Sequence, residues 1–142
     1  MTGGEQAERK RRSRSLVILG LPVHVRPGFF VFLVLAAVLN GGTFGIWLGV
    51  SIALLTVTHE LGHALTARRF GARAEISLDM LAGYTSYEVT VQMPRQHRAI
   101  IAAAGPLAEI VPGILILLAL GANPLSIDSI RESELRRAIW FA

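Results

Sequence analysis

Cysteine is absent from all 142 residues. That excludes a disulfide framework, a cysteine-ligated zinc and thiol chemistry, and it leaves His, Asp and Glu as possible metal ligands. Charge is scarce as well. Only 17% of residues are Asp, Glu, Lys or Arg, against 52% hydrophobic, and the mean hydropathy is +0.51. Soluble domains carry about 25% charged residues, so this balance points to a membrane protein one domain in size. Between Gly28 and Thr58 there is no charged residue at all. Internal repeats and low-complexity segments are lacking, and no convincing cleavage site follows the first apolar run, which argues against a removable signal peptide.

The charges that are present are placed unevenly. Arg9, Lys10, Arg11, Arg12 and Arg14 precede the first apolar run and supply much of the net charge of +4. No aromatic residues are interleaved with them, so they read as a positive-inside anchor rather than a nucleic-acid arm. Residues 1–15 are therefore expected to be a basic, disordered cytoplasmic tail, and residues 16–142 a membrane-embedded domain. Leu16 to Arg26 is a short apolar stretch, strand-like or interfacial, in which His24 is an interfacial polar residue rather than a ligand.

The charge-free run is too long for one membrane crossing and a little short for two. Asn40-Gly41-Gly42 supplies the turn, which predicts a first helix near 28–39 and a second near 44–67. The first is short, to be lengthened by the residues before Pro27 or to lie tilted. The second closes on Arg68 and Arg69, again the mark of a cytoplasmic end. Near that end stands His59-Glu60-Leu61-Gly62-His63, an H-E-x-x-H pattern. On a helix its two histidines lie one turn apart on the same face and can reach one metal ion. Zinc held by two imidazoles lowers the pKa of a bound water, and Glu60 beside it can take the proton. Stepping along that face gives Gly49, Ala53, Thr56, Glu60, His63 and Ala67, small residues below a polar cluster, as a close helix seam in lipid requires. The competing reading is a polar patch that merely joins helices. Three ionisable groups in one turn of a span, at metal-ligand spacing, favour chemistry.

Residues 70–97 are more polar. Glu75 to Leu78 and Tyr84 to Val91 are β-rich, with Ala82-Gly83 as the turn, so a small hairpin is expected beside the site. Its edge could receive an extended peptide, or it could be an ordinary interfacial hairpin. His97 reads as solvated. Ile100 to Leu120 predicts a third span, interrupted by Pro106, Glu109 and Pro112, in which Ala102 to Gly105 permits close backbone approach. Glu109, near mid-span, needs a partner or a protonated state; it is expected to neighbour Glu60, so that one of the two carboxyls stays protonated, with direct metal ligation as the alternative.

These pieces together resemble the site-2 protease family of intramembrane zinc metalloproteases. The resemblance rests on Leu-Pro-Val-His-Val-Arg-Pro at 21–27, Thr-His-Glu-Leu-Gly-His-Ala-Leu-Thr-Ala-Arg-Arg-Phe-Gly at 58–71, the Ala82-Gly83-Tyr84-Thr85 loop and Ala-Ala-Ala-Gly-Pro-Leu-Ala at 102–108. It implies an all-α polytopic membrane protein of about three transmembrane helices plus a small β-hairpin between the second and third. It implies Zn2+ bound by His59 and His63, and Glu60 as the general base for cleaving a membrane-protein or peptide substrate in or near the bilayer. The location implied is the cell membrane, multi-pass, with the N-terminus cytoplasmic and no nucleic-acid partner. Two departures stand out. The family usually has Asn where this chain has Glu109, and its third zinc ligand is an Asp in a later Asp-Gly motif. That helix would begin near Ala142, so the domain is expected to be incomplete at its C-terminus, with Asp128 and Glu109 as weaker in-chain candidates. The alternative function is a catalytically silent homologue or fragment that binds transmembrane helices and regulates a partner; a metal-storage module would need more acidic or His residues than the chain has.

Overall fold

The computed structural model describes residues 15–80, 83–88 and 93–142. The basic cluster at 9–14, Ala82 of the expected turn and Val89 to Val91 of the β-rich stretch lie outside these residues. In chain order the elements are β1 (Ser15–Ile18), β2 (Leu21–Val25), α1 (Pro27–Asn40), α2 (Gly42–Arg69), β3 (Arg73–Leu78), β4 (Gly83–Glu88), α3 (Arg95–Ala119), α4 (Ile127–Arg131) and α5 (Glu134–Phe141). The chain is mostly helical, with one small sheet.

Proline decides where α1 begins. Pro27 sits in the first turn, where its missing N–H has no partner to lose, and Arg26 before it is extended at φ −88 and ψ 150. The residues before Pro27 therefore cannot lengthen the helix, contrary to one of the two expectations, and form β2 instead. The 14 residues of α1 rise about 21 Å, short of the roughly 30 Å hydrocarbon core. Gly41 and Gly42 take φ of 64 and 55, a left-handed geometry that favours glycine, and fold α2 back on α1. The two helices touch closely: a β-carbon on Gly45 would strike the Ala37 carbonyl, and one on Gly49 would lie 3.3 Å from the Leu33 carbonyl oxygen.

The β element is larger than a hairpin. Four strands pair in the order β1-β2-β3-β4. β1 and β2 are antiparallel, β2 runs parallel to β3 with Val23 opposite Ile76, and β3 is antiparallel to β4 with Ile76 opposite Thr85. The α1–α2 hairpin is thus the crossover that a parallel pair requires. Leu21, Val23, Ile76 and Leu78 are almost fully buried against Ala64 and Ala67 of α2, Phe29 of α1 and Ile101 of α3. Fully burying one such aliphatic side chain contributes about 1.5–3 kcal/mol, so this junction of sheet and helices is the core.

Away from that core the surface stays apolar. Phe30, Val31, Val34, Leu35 and Val38 of α1 are exposed, as are Leu107, Ile110, Val111, Leu115 and Leu118 of α3. An apolar surface of this extent suits lipid better than water. Two helices, α2 and α3, are long and apolar enough to cross a membrane. Beyond α3, α5 returns to pack on α2: Phe141 meets Phe44 edge-to-face at 6.5 Å, and the Arg137 guanidinium lies 4.5 Å above the Phe44 ring.

Candidate metal centre

His59, Glu60 and His63 all lie on α2, eleven to seven residues before its C-cap at Phe70, where the helix enters the core. The helical repeat brings the two imidazoles together, with Nε2 of His59 3.1 Å from Nε2 of His63 and the rings inclined at 74°. Each ring is oriented from behind by α3. His63 Nδ1 is 2.7 Å from the carbonyl oxygen of Ile101. A carbonyl can only accept, so that nitrogen carries the proton and donates it, leaving a lone pair on Nε2. His59 Nδ1 is 2.7 Å from Oε2 of Glu109, and with an ionised carboxylate it likewise donates.

With Glu109 ionised, two bare Nε2 lone pairs face one another, which is favourable only with a proton or a cation between them. Zinc–imidazole bonds of about 2.0–2.1 Å at a tetrahedral angle put two ligand nitrogens about 3.3 Å apart. The observed 3.1 Å fits that spacing. The donor set is therefore compatible with zinc. Among the described residues no group of three or more His, Cys, Asp or Glu side chains is disposed to hold a metal ion.

Glu60 is 5% exposed and turns towards the sheet. The Thr85 hydroxyl, on β4, lies 2.6 Å from Oε2 of Glu60 and 3.0 Å from its backbone carbonyl oxygen, so the threonine proton donates to one of them or is shared. His59, Glu60 and Glu109 line a cavity of about 360 Å³ with Thr56 and Asp79. Phe29, Phe32, Ile52, Phe141 and Ala142 complete its lining, so polar and apolar side chains share an open cavity. Arg26 pairs with Asp79 at 2.9 Å at the rim.

Small residues make the close approach of α3 possible. A β-carbon on Gly105 would overlap the His63 ring, and one on Gly62 would overlap the Ala104 carbonyl and lie 2.7 Å from Ala108 Cβ. The helices run antiparallel, so Gly105 meets His63 and, one turn along α3, Glu109 meets His59.

The structure brings together His59, Glu60, His63 and Glu109, with Glu60 and Glu109 lining one cavity. It adds a contact that was not expected: the Glu109 carboxylate engages Nδ1 of His59, because the antiparallel register sets it one turn from Gly105 on the side of His59. Nδ1 also points away from the converging Nε2 atoms, which is the wrong side for a ligand. Asp128 is exposed in the first turn of α4, outside the cavity lining, so it does not join the site. His97 is not simply solvated: its ring stacks on Phe70 at 4.0 Å and 6°. His24 lies 3.7 Å from Glu75 across the sheet. Thr85 and the Ile101 carbonyl were missed by sequence reasoning. The β-rich composition placed Thr85 beside the site, but nothing local aims its hydroxyl at Glu60.

A family model described as peptidase family M50 matches residues 47–133, a span that holds His59, Glu60, His63, Thr85 and Glu109. The chain belongs to peptidase family M50. A zinc metalloprotease of Methanocaldococcus jannaschii is 29% identical over 109 residues, covering 74% of this chain and 31% of that relative. The solved site-2 protease from Methanocaldococcus jannaschii superimposes with a TM-score of 0.62 at 25% identity, over 89% of this chain and 59% of that one. The chain thus spans less than two thirds of the length of either M50 relative. Its helices and small sheet fit the site-2 protease fold.

Proposed function

We propose that the chain carries the H-E-x-x-H half of a zinc-dependent intramembrane metalloendopeptidase, acting on a peptide bond in or near a transmembrane segment of a membrane-protein substrate. The observation that carries this reading is the pair of imidazoles whose Nδ1 atoms are both engaged by α3 and whose Nε2 atoms converge at 3.1 Å beside buried Glu60. His59 and His63 would hold the metal. When bound there, zinc would polarise the scissile carbonyl and make water nucleophilic at neutral pH. Glu60 takes the proton from the attacking water and hands it to the departing amine. When the Thr85 hydroxyl donates to Oε2, it holds that oxygen and leaves Oε1 for the proton transfer. The apolar side chains of the cavity wall suit an apolar substrate segment.

The membrane arrangement follows the same reading. α2 and α3 cross the bilayer, and α1 makes a third, shorter crossing where the bilayer is locally thinned. Residues 16–142 form the membrane-embedded domain, and 1–15 its basic cytoplasmic tail.

The test is the purified full-length protein against its Glu60→Gln variant, with zinc measured by elemental analysis and cleavage of a transmembrane substrate followed in bilayers. Stoichiometric zinc in both, with cleavage lost only in the variant, is expected. Cleavage by Glu60→Gln near the wild-type rate would remove Glu60 from the chemistry. A wild-type protein that binds no zinc and cleaves nothing would favour a silent helix-binding homologue instead.

A further inference from the structure

We propose that Glu109 is a positioning residue that sets the tautomer and strengthens the donor nitrogen of His59; this rests on the zinc reading of the site. Neutral imidazole carries one N–H, and the partner of one ring nitrogen decides which nitrogen is left to bind a metal. Oε2 of Glu109 stands 2.7 Å from Nδ1 of His59, and both side chains are more than two-thirds buried. In so enclosed a place the contact is stronger than the same pair in water. A carboxylate that accepts the Nδ1 proton holds the ring angle, keeps Nε2 bare and raises its basicity.

The two imidazoles are therefore held unequally. His63 donates to a neutral backbone carbonyl, and His59 to a carboxylate. His59 becomes the stronger donor of the pair, and the binding of the metal depends on a side chain that α3 contributes. Glu109 is not needed to hold the helices together, since Gly62 against Ala104 and Ala108 already forms that seam. Nor does it reach the metal side of the ring, because Nδ1 is the atom it touches. A carboxylate in the middle of an apolar helix is costly, and orientation of His59 accounts for its presence there.

The experiment measures zinc affinity by chelator competition in the full-length protein and in Glu109→Ala and Glu109→Gln. It also records the ring N–H proton resonances of the zinc-loaded forms with ¹⁵N-labelled histidine. Glu109→Ala should weaken zinc binding by about 10–100-fold, the usual effect of losing such a partner. Glu109→Gln, whose amide oxygen still accepts from Nδ1–H, should recover most of that loss. A far-downfield Nδ1–H resonance assigned to His59 should be present in wild type and vanish in Glu109→Ala, while that of His63 stays. Thermal unfolding of the metal-free proteins controls for a merely structural effect and should hardly separate the three. Equal zinc affinity in wild type and Glu109→Ala would overturn the proposal. So would equal, complete loss of zinc in both variants, which would make Glu109 a ligand. Zinc-free wild-type protein would instead sink the metal reading beneath it.

Discussion

The imidazole of His63 fills the space that a β-carbon on residue 105 would occupy: Gly105 of α3 is the wall against which that ring stands. The glycine is therefore part of the site, because it lets α3 come near enough for the Ile101 carbonyl, one turn earlier, to engage Nδ1. Any side chain at 105 must push the ring or the helix aside.

Gly105→Ala should accordingly cost about 1–3 kcal/mol in overpacking and should displace His63 from its carbonyl. Zinc content of the purified variant is the decisive measurement. A full complement of zinc with an unchanged unfolding temperature would mean that the ring is free to retreat.

The same helices offer an internal contrast. Gly62 faces the Ala104 carbonyl and Ala108, whereas Gly113, further along α3, has nothing within 4 Å of where its β-carbon would be. Gly62→Ala should destabilise by about 1–3 kcal/mol. Gly113→Ala should be neutral or stabilise by roughly 0.5–1 kcal/mol, since alanine loses less entropy in a helix. Thermal unfolding in one detergent compares them directly, and equal shifts would deny the close α2–α3 seam.

Thr85 should matter to catalysis but not to metal binding. A hydrogen bond to a charged group is worth about 1.5–3 kcal/mol, so Thr85→Ala should lower kcat by about tenfold or more at unchanged zinc content. Thr85→Ser keeps the hydroxyl and should restore most of the rate. If serine is as poor as alanine, the threonine methyl, and not its proton, is what the site uses.

How much of this was legible in the chain depends on the distance each feature spans. The charge-free run, the Asn40-Gly41-Gly42 turn and the H-E-x-x-H face are local, and they mark the α1–α2 hairpin and its polar cluster directly. The sheet was only half legible, because pairing Val23 with Ile76 joins strands separated by two helices. The partners of the site were harder still. Helical periodicity says which face a residue shares but leaves the sliding of one helix along another undetermined. One hint was available: His59 and His63 are four apart, and so are Gly105 and Glu109. Two antiparallel helices that match Gly105 with His63 must also match Glu109 with His59.

The remaining prediction concerns sidedness. β2 leads into α1 and β3 follows α2, and the two strands are hydrogen-bonded neighbours. In the proposed arrangement the α1–α2 hairpin begins and ends on one side of the bilayer, with the Asn40-Gly41-Gly42 turn on the other. α1 starts beside the site, since Phe29 lines the same cavity as His59, so the site lies at the sheet end of the hairpin. Arg68, Arg69, Arg73, Arg95 and Arg98 lie on elements that start or end there, and five further basic residues precede β1 in the sequence. An excess of Lys and Arg marks the cytoplasmic side. Single cysteines can report this cleanly because the chain has none of its own. Ser86→Cys, at an exposed position of β4, should resist an impermeant maleimide in intact cells and react after lysis. Thr43→Cys, exposed at the start of α2, should react in intact cells. The opposite pattern would invert the topology, and equal reactivity at both positions would mean that the hairpin does not cross.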